Sequence, residues 1–76
     1  MTADKIKSRL LEFCTLLGFD YLGKRGYVDP FNQKKFILFY DGKSIKADNI
    51  EDVMSIPFFG EKSLNEIYNE IEIDEW

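Results

Sequence analysis

The clearest pattern in the chain is the run Phe36-Ile37-Leu38-Phe39-Tyr40, followed by Asp41-Gly42 and the shorter run Lys43-Ser44-Ile45-Lys46-Ala47. An Asp-Gly pair between two strand-like runs predicts a two-residue hairpin. Both central residues of a type I′ turn need positive φ, which Gly accepts and Asp tolerates. That loop length sets Tyr40 opposite Lys43, Phe39 opposite Ser44, Leu38 opposite Ile45, Ile37 opposite Lys46 and Phe36 opposite Ala47. Side chains alternate across a strand, so one face carries Phe36, Leu38, Tyr40, Ile45 and Ala47, with Lys43 at its rim. This is the expected core face. The other face is mixed, with Ile37 and Phe39 among Lys35, Ser44 and Lys46.

Upstream, Ile6, Leu10, Phe13, Cys14 and Leu17 recur at the spacing of one buried helical face, which predicts a helix from about Ala3 to Leu17. Thr2 stands at its N-cap, Met1 and Ile6 at the positions of a hydrophobic staple, and Gly18 at the left-handed position that ends a helix. Phe19 to Gly26 reads as an irregular crossing, and Gly26-Tyr27-Val28-Asp29 as a short strand stopped by Pro30. Its register stays open. A four-residue loop sets Tyr27 opposite Phe36 on the core face, and a five-residue loop sets it opposite Ile37 on the mixed face.

Downstream, Asp48-Asn49-Ile50-Glu51 reads as a capping box for a short helical stretch through Met54, with Ile50, Val53 and Met54 inward. Ile56 precedes Pro57 and is pushed out of helical geometry, which ends that stretch. Ser63-Leu64-Asn65-Glu66 is a full capping box for a C-terminal helix with Leu64, Ile67, Tyr68 and Ile71 on one face. The tail Ile71-Glu72-Ile73-Asp74 alternates and also fits a terminal strand; the reading taken is helix end plus tail. The sum is one α+β domain over residues 1–76. It has an N-terminal helix, a three-stranded antiparallel meander with the Asp-Gly hairpin, a short helical turn and a C-terminal helix, both main helices packed on one sheet face.

Composition changes this picture little. The 76 residues are 45% hydrophobic and 16% aromatic, enough for a small core rather than a disordered chain. A single cysteine excludes an internal disulfide and suggests a reducing compartment. No apolar run reaches the ~18 residues of a membrane span, and Asp4, Lys5, Lys7, Arg9 and Glu12 interrupt any signal-peptide core. A cytoplasmic location is expected. Charge is distributed unevenly: residues 1–23 net zero, residues 24–46 net +4, and residues 47–76 net −8, with nine acids against Lys62. The result is a dipolar, acidic protein.

Residue types that carry catalysis are scarce. Without histidine there is no Ser-His or Cys-His pair, and one thiol cannot make a zinc site. Cys14, on the apolar stripe, reads as a buried inert thiol. The acidic tail lacks the ligand spacing of a calcium hand, and Gly23-x-x-Gly26 lacks the Lys-Ser/Thr of a phosphate loop. No enzyme activity, cofactor or metal is expected.

Two surfaces remain as candidates for an interface. One is the mixed sheet face with Tyr27, Lys35, Ile37, Phe39 and Lys46, Arg25 beside it. The other is the Pro57-Phe58-Phe59-Gly60 corner, where Phe58 and Phe59 either plug the core or stand out as a knob. Aromatics on a basic sheet also stack single-stranded bases in some domains. The order helix, three strands, helix is shared with double-stranded-RNA-binding domains. Those place a basic cluster at the start of the last helix, where this chain has Gly60-Glu61-Lys62-Ser63-Leu64-Asn65-Glu66, so that family is not assigned. The expectation is a small non-catalytic protein–protein interaction module, with an accessory or regulatory role by contact with another protein or with itself. The alternative is a nucleic-acid-binding module using the basic, aromatic face around residues 24–46, which the −8 segment disfavours. Membrane association is not expected.

Overall fold

The computed structural model describes residues 2–12 and 14–76. Met1 and Phe13, assigned above to the staple and the helical stripe, lie outside the described residues. The elements are α1 (Ala3–Glu12), β1 (Leu17–Tyr21), β2 (Lys24–Asn32), β3 (Lys35–Tyr40), β4 (Lys43–Ala47), α2 (Ile50–Ser55), α3 (Leu64–Ile67) and β5 (Glu72–Glu75). The class is α+β as expected, but the sheet has five strands rather than three, in the order β4-β3-β2-β1-β5. β1 to β4 form an antiparallel meander. After α2 and α3 the chain returns to pair β5 antiparallel with β1.

The hairpin forms as its turn residues dictate. Asp41 and Gly42 have φ of 52° and 80°, and all five β3–β4 pairs are those the two-residue loop requires. A second turn of the same hand was hidden. Leu22 and Gly23, at φ 54° and 74°, join β1 to β2 where an irregular crossing was expected. A branched residue at the first position of such a turn is uncommon, so the Leu-Gly pair carries little signal.

α1 ends at Glu12, well short of Leu17, and Gly18 is a strand residue rather than a helix cap. Leu17 satisfies both the helical stripe and the strand alternation Leu17-Phe19-Tyr21. The strand prevails because all three side chains then point into the core while β1 hydrogen-bonds to neighbours on both sides. The same change moves Cys14 out of the helix to an exposed position at φ 49°, so it is not the buried thiol of the stripe.

β2 runs past Pro30 to Asn32 instead of stopping there. β1 pairs with β2 only as far as Val28, so Pro30 lies where β2 has one neighbour and a missing N–H is tolerated. The turn that follows is short, with the Asn32 Oδ1 accepting from the Lys34 N–H at 2.7 Å. Both registers considered from the sequence are therefore replaced: Tyr27 faces Phe39, and Pro30 faces Phe36.

The helices bury Ile6, Leu10, Ile50, Val53, Met54, Leu64 and Ile67 in one cluster with the core-facing strand residues. α1 is capped as expected, Thr2 Oγ1 accepting from the Lys5 N–H at 3.2 Å. The cap of α2 is Asn49 rather than Asp48, its Oδ1 accepting from the Asp52 N–H at 2.8 Å. Glu66 Oε1 accepts from the Ser63 N–H at 3.0 Å and from its Oγ–H at 3.2 Å, so the last capping box forms. Its helix lasts one turn. Of the tail Ile71-Glu72-Ile73-Asp74, the last three residues follow the strand alternative, with Ile73 opposite Phe19. Phe59 is fully buried, 5.5 Å from the Phe19 ring and 5.8 Å from the Tyr40 ring, held by reciprocal backbone bonds to Lys62. Tyr40 donates to the Tyr21 carbonyl at 2.8 Å, and burial raises its phenol above the usual range.

Leu38 is wholly buried on β3, so Leu38→Ala is expected to cost about 2–5 kcal/mol through lost transfer energy and a cavity, read as a lower urea midpoint. Gly26 faces Phe19, and a Cβ there would lie 2.6 Å from the ring. Gly26→Ala is expected to cost about 1–3 kcal/mol, because a buried ring has nowhere to move. A midpoint equal to that of the parent chain would refute either assignment.

Candidate interaction surface

All the buried faces of the helices meet one side of the sheet, and strand alternation sends the remaining side chains to the other. Arg25, Tyr27 and Asp29 come from β2, Lys35, Ile37 and Phe39 from β3, Ser44 and Lys46 from β4, and Gly18 and Asp20 from β1. Glu72 stands opposite Asp20 on β5. A break in β1–β5 register beside Gly18 brings Asp74 and Glu75 onto the same face, where both reach Arg25.

Five residues named from the sequence therefore share this open face: Tyr27, Lys35, Ile37, Phe39 and Lys46. Tyr27 and Phe39 are cross-strand partners with ring centroids 6.5 Å apart in an edge-on pair. Tyr27 and Ile37 are half-buried, whereas Phe39 is 40% exposed, high for a ring on a central strand. Phe31, at the end of β2, is exposed beneath the Lys35 ammonium, 5.0 Å from its ring centroid. Phe58 and Phe59 do not join them. Phe59 is the core plug described above and offers no surface, and half-buried Phe58 packs against it.

Arg25 organises the β1–β5 end of the face. Its guanidinium lies 4.7 Å from the Tyr27 ring centroid, 3.3 Å from Asp20 Oδ1 and 3.4 Å from Glu75 Oε1, and it donates to Asp74 Oδ2. The absence of a side chain at Gly18 leaves room for this, since a Cβ there would meet Arg25 Nη2 at 2.8 Å and Tyr27 Cε1 at 3.3 Å. The hydrogen bond from Arg25 is the main cause holding the Asp74 carboxyl below the usual Asp range, and the reciprocal bond keeps Arg25 firmly protonated. This acidic end was not legible in the sequence, because β1 and β5 were not read as strands. The alternation of Leu17-Phe19-Tyr21 and of Ile71-Ile73 was the signal available.

The helical side offers two shallow clefts. One, of about 230 Å³, lies beside the Lys7–Glu51 pair, whose N···O distance is 3.2 Å. The hydrogen bond from Lys7 lowers the Glu51 pKa, which makes that carboxylate a poorer proton acceptor. The other, of about 280 Å³, lies by the β3–β4 turn beside the Lys24–Asp41 pair. Among the described residues, no group of three or more His, Cys, Asp or Glu side chains is placed to hold a metal ion. No helix among them is long and apolar enough to cross a membrane. No protein-family model, curated protein or solved structure matches the chain.

Asp74 gives the face a pH dependence with a defined sign. A carboxyl whose folded pKa is depressed adds stability above its unfolded pKa, and that contribution is lost as pH falls through the folded value. β5 is therefore expected to loosen from β1 below the ordinary Asp range, seen as faster amide exchange at Asp20 and Glu72, the pair whose N–H groups point across that seam. Asp74→Asn should flatten that dependence, and an unchanged acid profile would show that Asp74 does not clamp β5.

Proposed function

We propose that the chain is a small non-catalytic interaction module that works through its open sheet face. One observation carries the reading: a central-strand aromatic, Phe39, is 40% exposed beside Tyr27 and Ile37, on the side of the sheet that receives no helix. A contiguous apolar patch inside a polar rim is the anatomy of a protein contact. In the cleft beside α2, the Glu51 carboxylate is paired with Lys7 and held below its usual range, which makes it a poor proton acceptor and supports a non-catalytic role.

The nucleic-acid alternative fares worse with the face assembled. A base-stacking platform needs cations along the track of the phosphates. Here the track would cross Asp20, Glu72, Asp74 and Glu75, which lie on the same face as the rings.

Replacing Phe39 by a photo-crosslinking phenylalanine analogue tests the surface in cells that express the chain. A discrete adduct is expected from position 39 and none from Ser8, exposed on α1. Adding Tyr27→Lys should remove the adduct. Phe39→Lys by itself should change folding stability by about 1 kcal/mol or less. No adduct from position 39, or equal adducts from both positions, would overturn the reading. So would a salt-sensitive complex with single-stranded oligonucleotides that Lys35→Glu and Lys46→Glu abolish.

A further inference from the structure

The apolar centre of the open face lies between opposite charges at diagonal corners. At the β1–β5 corner, Arg25 pairs with Asp20, Asp74 and Glu75, and Glu72 stands opposite Asp20, a clear negative excess. At the far corner, where β3 begins and β4 ends, stand Lys35 and Lys46. Exposed Lys34 adjoins them in the turn, against Asp29 at the inner margin. Lys46 also meets Asp48 at 3.4 Å, a pair exposed on both sides and therefore weak.

A surface that binds its own copy must be complementary to itself under a two-fold rotation. A two-fold lying in the plane of the interface, along the other diagonal, exchanges the two charged corners. Each acidic corner then rests on the copy's basic corner, and the Tyr27–Ile37–Phe39 centre returns onto itself. From this self-complementarity we infer that the occupant of the open face is a second copy of the chain, in an isologous face-to-face dimer. The inference rests on reading this face as an interaction surface, and it names the partner.

The area required is consistent with this. A standard interface takes about 800 Å² from each partner, roughly 18% of the 4530 Å² accessible surface. Five strands at a spacing of about 4.8 Å make a face about 24 Å wide, so a footprint of that size reaches the corners. The charges then act as part of the contact and set its orientation, since like charges brought together oppose every other alignment.

Sedimentation equilibrium on the purified chain over roughly 1–500 μM, the range suited to a modest interface, tests this directly. A monomer–dimer equilibrium that weakens with added salt is expected. Lys35→Glu with Lys46→Glu should weaken self-association roughly tenfold or more, and so should Asp20→Lys with Glu72→Lys. Mixing the two variants should restore a dimer, because each then offers two corners of one sign to two of the other. A chain that stays monomeric throughout, or variants that mixing fails to rescue, would overturn the inference. A crosslink from position 39 at a mass other than twice the chain would overturn it as well, while leaving the interaction reading in place. Absence of any adduct would remove both.

Discussion

Two adjacent cross-strand pairs between β1 and β2 each set a glycine against an aromatic ring, one on each side of the sheet. Phe19 lies on Gly26 toward the helices, and Tyr27 lies on Gly18 toward the open face. Phe19 then reaches Phe59 edge-on and stands opposite Ile73, so the corner loop and the last strand both close on it. Tyr27 carries Arg25 above its ring, and Arg25 holds the acidic residues of β5. A side chain on Gly26 would press into the Phe19 ring, and one on Gly18 would push the Arg25 guanidinium off the Tyr27 ring. The core on one side and the charge cluster on the other thus depend on the same four residues.

The second constraint is the shortage of helix. α1, α2 and α3 have 10, 6 and 4 residues, and their apolar faces meet a single side of a five-stranded sheet. A small chain cannot cover two sheet faces, because so few residues bury too little surface to order another layer. The open face is stabilised instead by pairs within it, Tyr27 with Phe39 and Arg25 with three carboxylates. Exposed ion pairs of this kind contribute little to folding and more to the choice and orientation of what lands on them.

The net charge conceals this arrangement. The cationic segment 24–46 and the anionic segment 47–76 are far apart in sequence, yet β5 brings acids beside β1 and folds them onto the face that carries Lys35 and Lys46. A surface that the linear charge pattern presents as basic is divided between the two signs. That division weakens the case for a polyanion partner and suits a partner carrying both signs.

Local chemistry alone determined several features. Asp41-Gly42 set the hairpin and its five pairs, since a two-residue loop admits one register. Thr2, Ser63-Glu66 and Ile56-Pro57 marked helix boundaries through hydrogen bonds and clashes within a few residues. The grouping of Lys35, Ile37, Phe39 and Lys46 on one face followed from the hairpin register. Tertiary structure decided wherever one residue suited two periods or a partner lay far along the chain. Leu17 fits a helix stripe and a strand row, and neighbours on both sides of β1 settle it as strand. Residues 71–74 fit a helix end and a strand, and the unpaired edge of β1 draws 72–75 into β5. Asp74 and Glu75 meet Arg25 only once that edge is filled, because the contact spans about 50 residues of sequence and no local interaction can specify it.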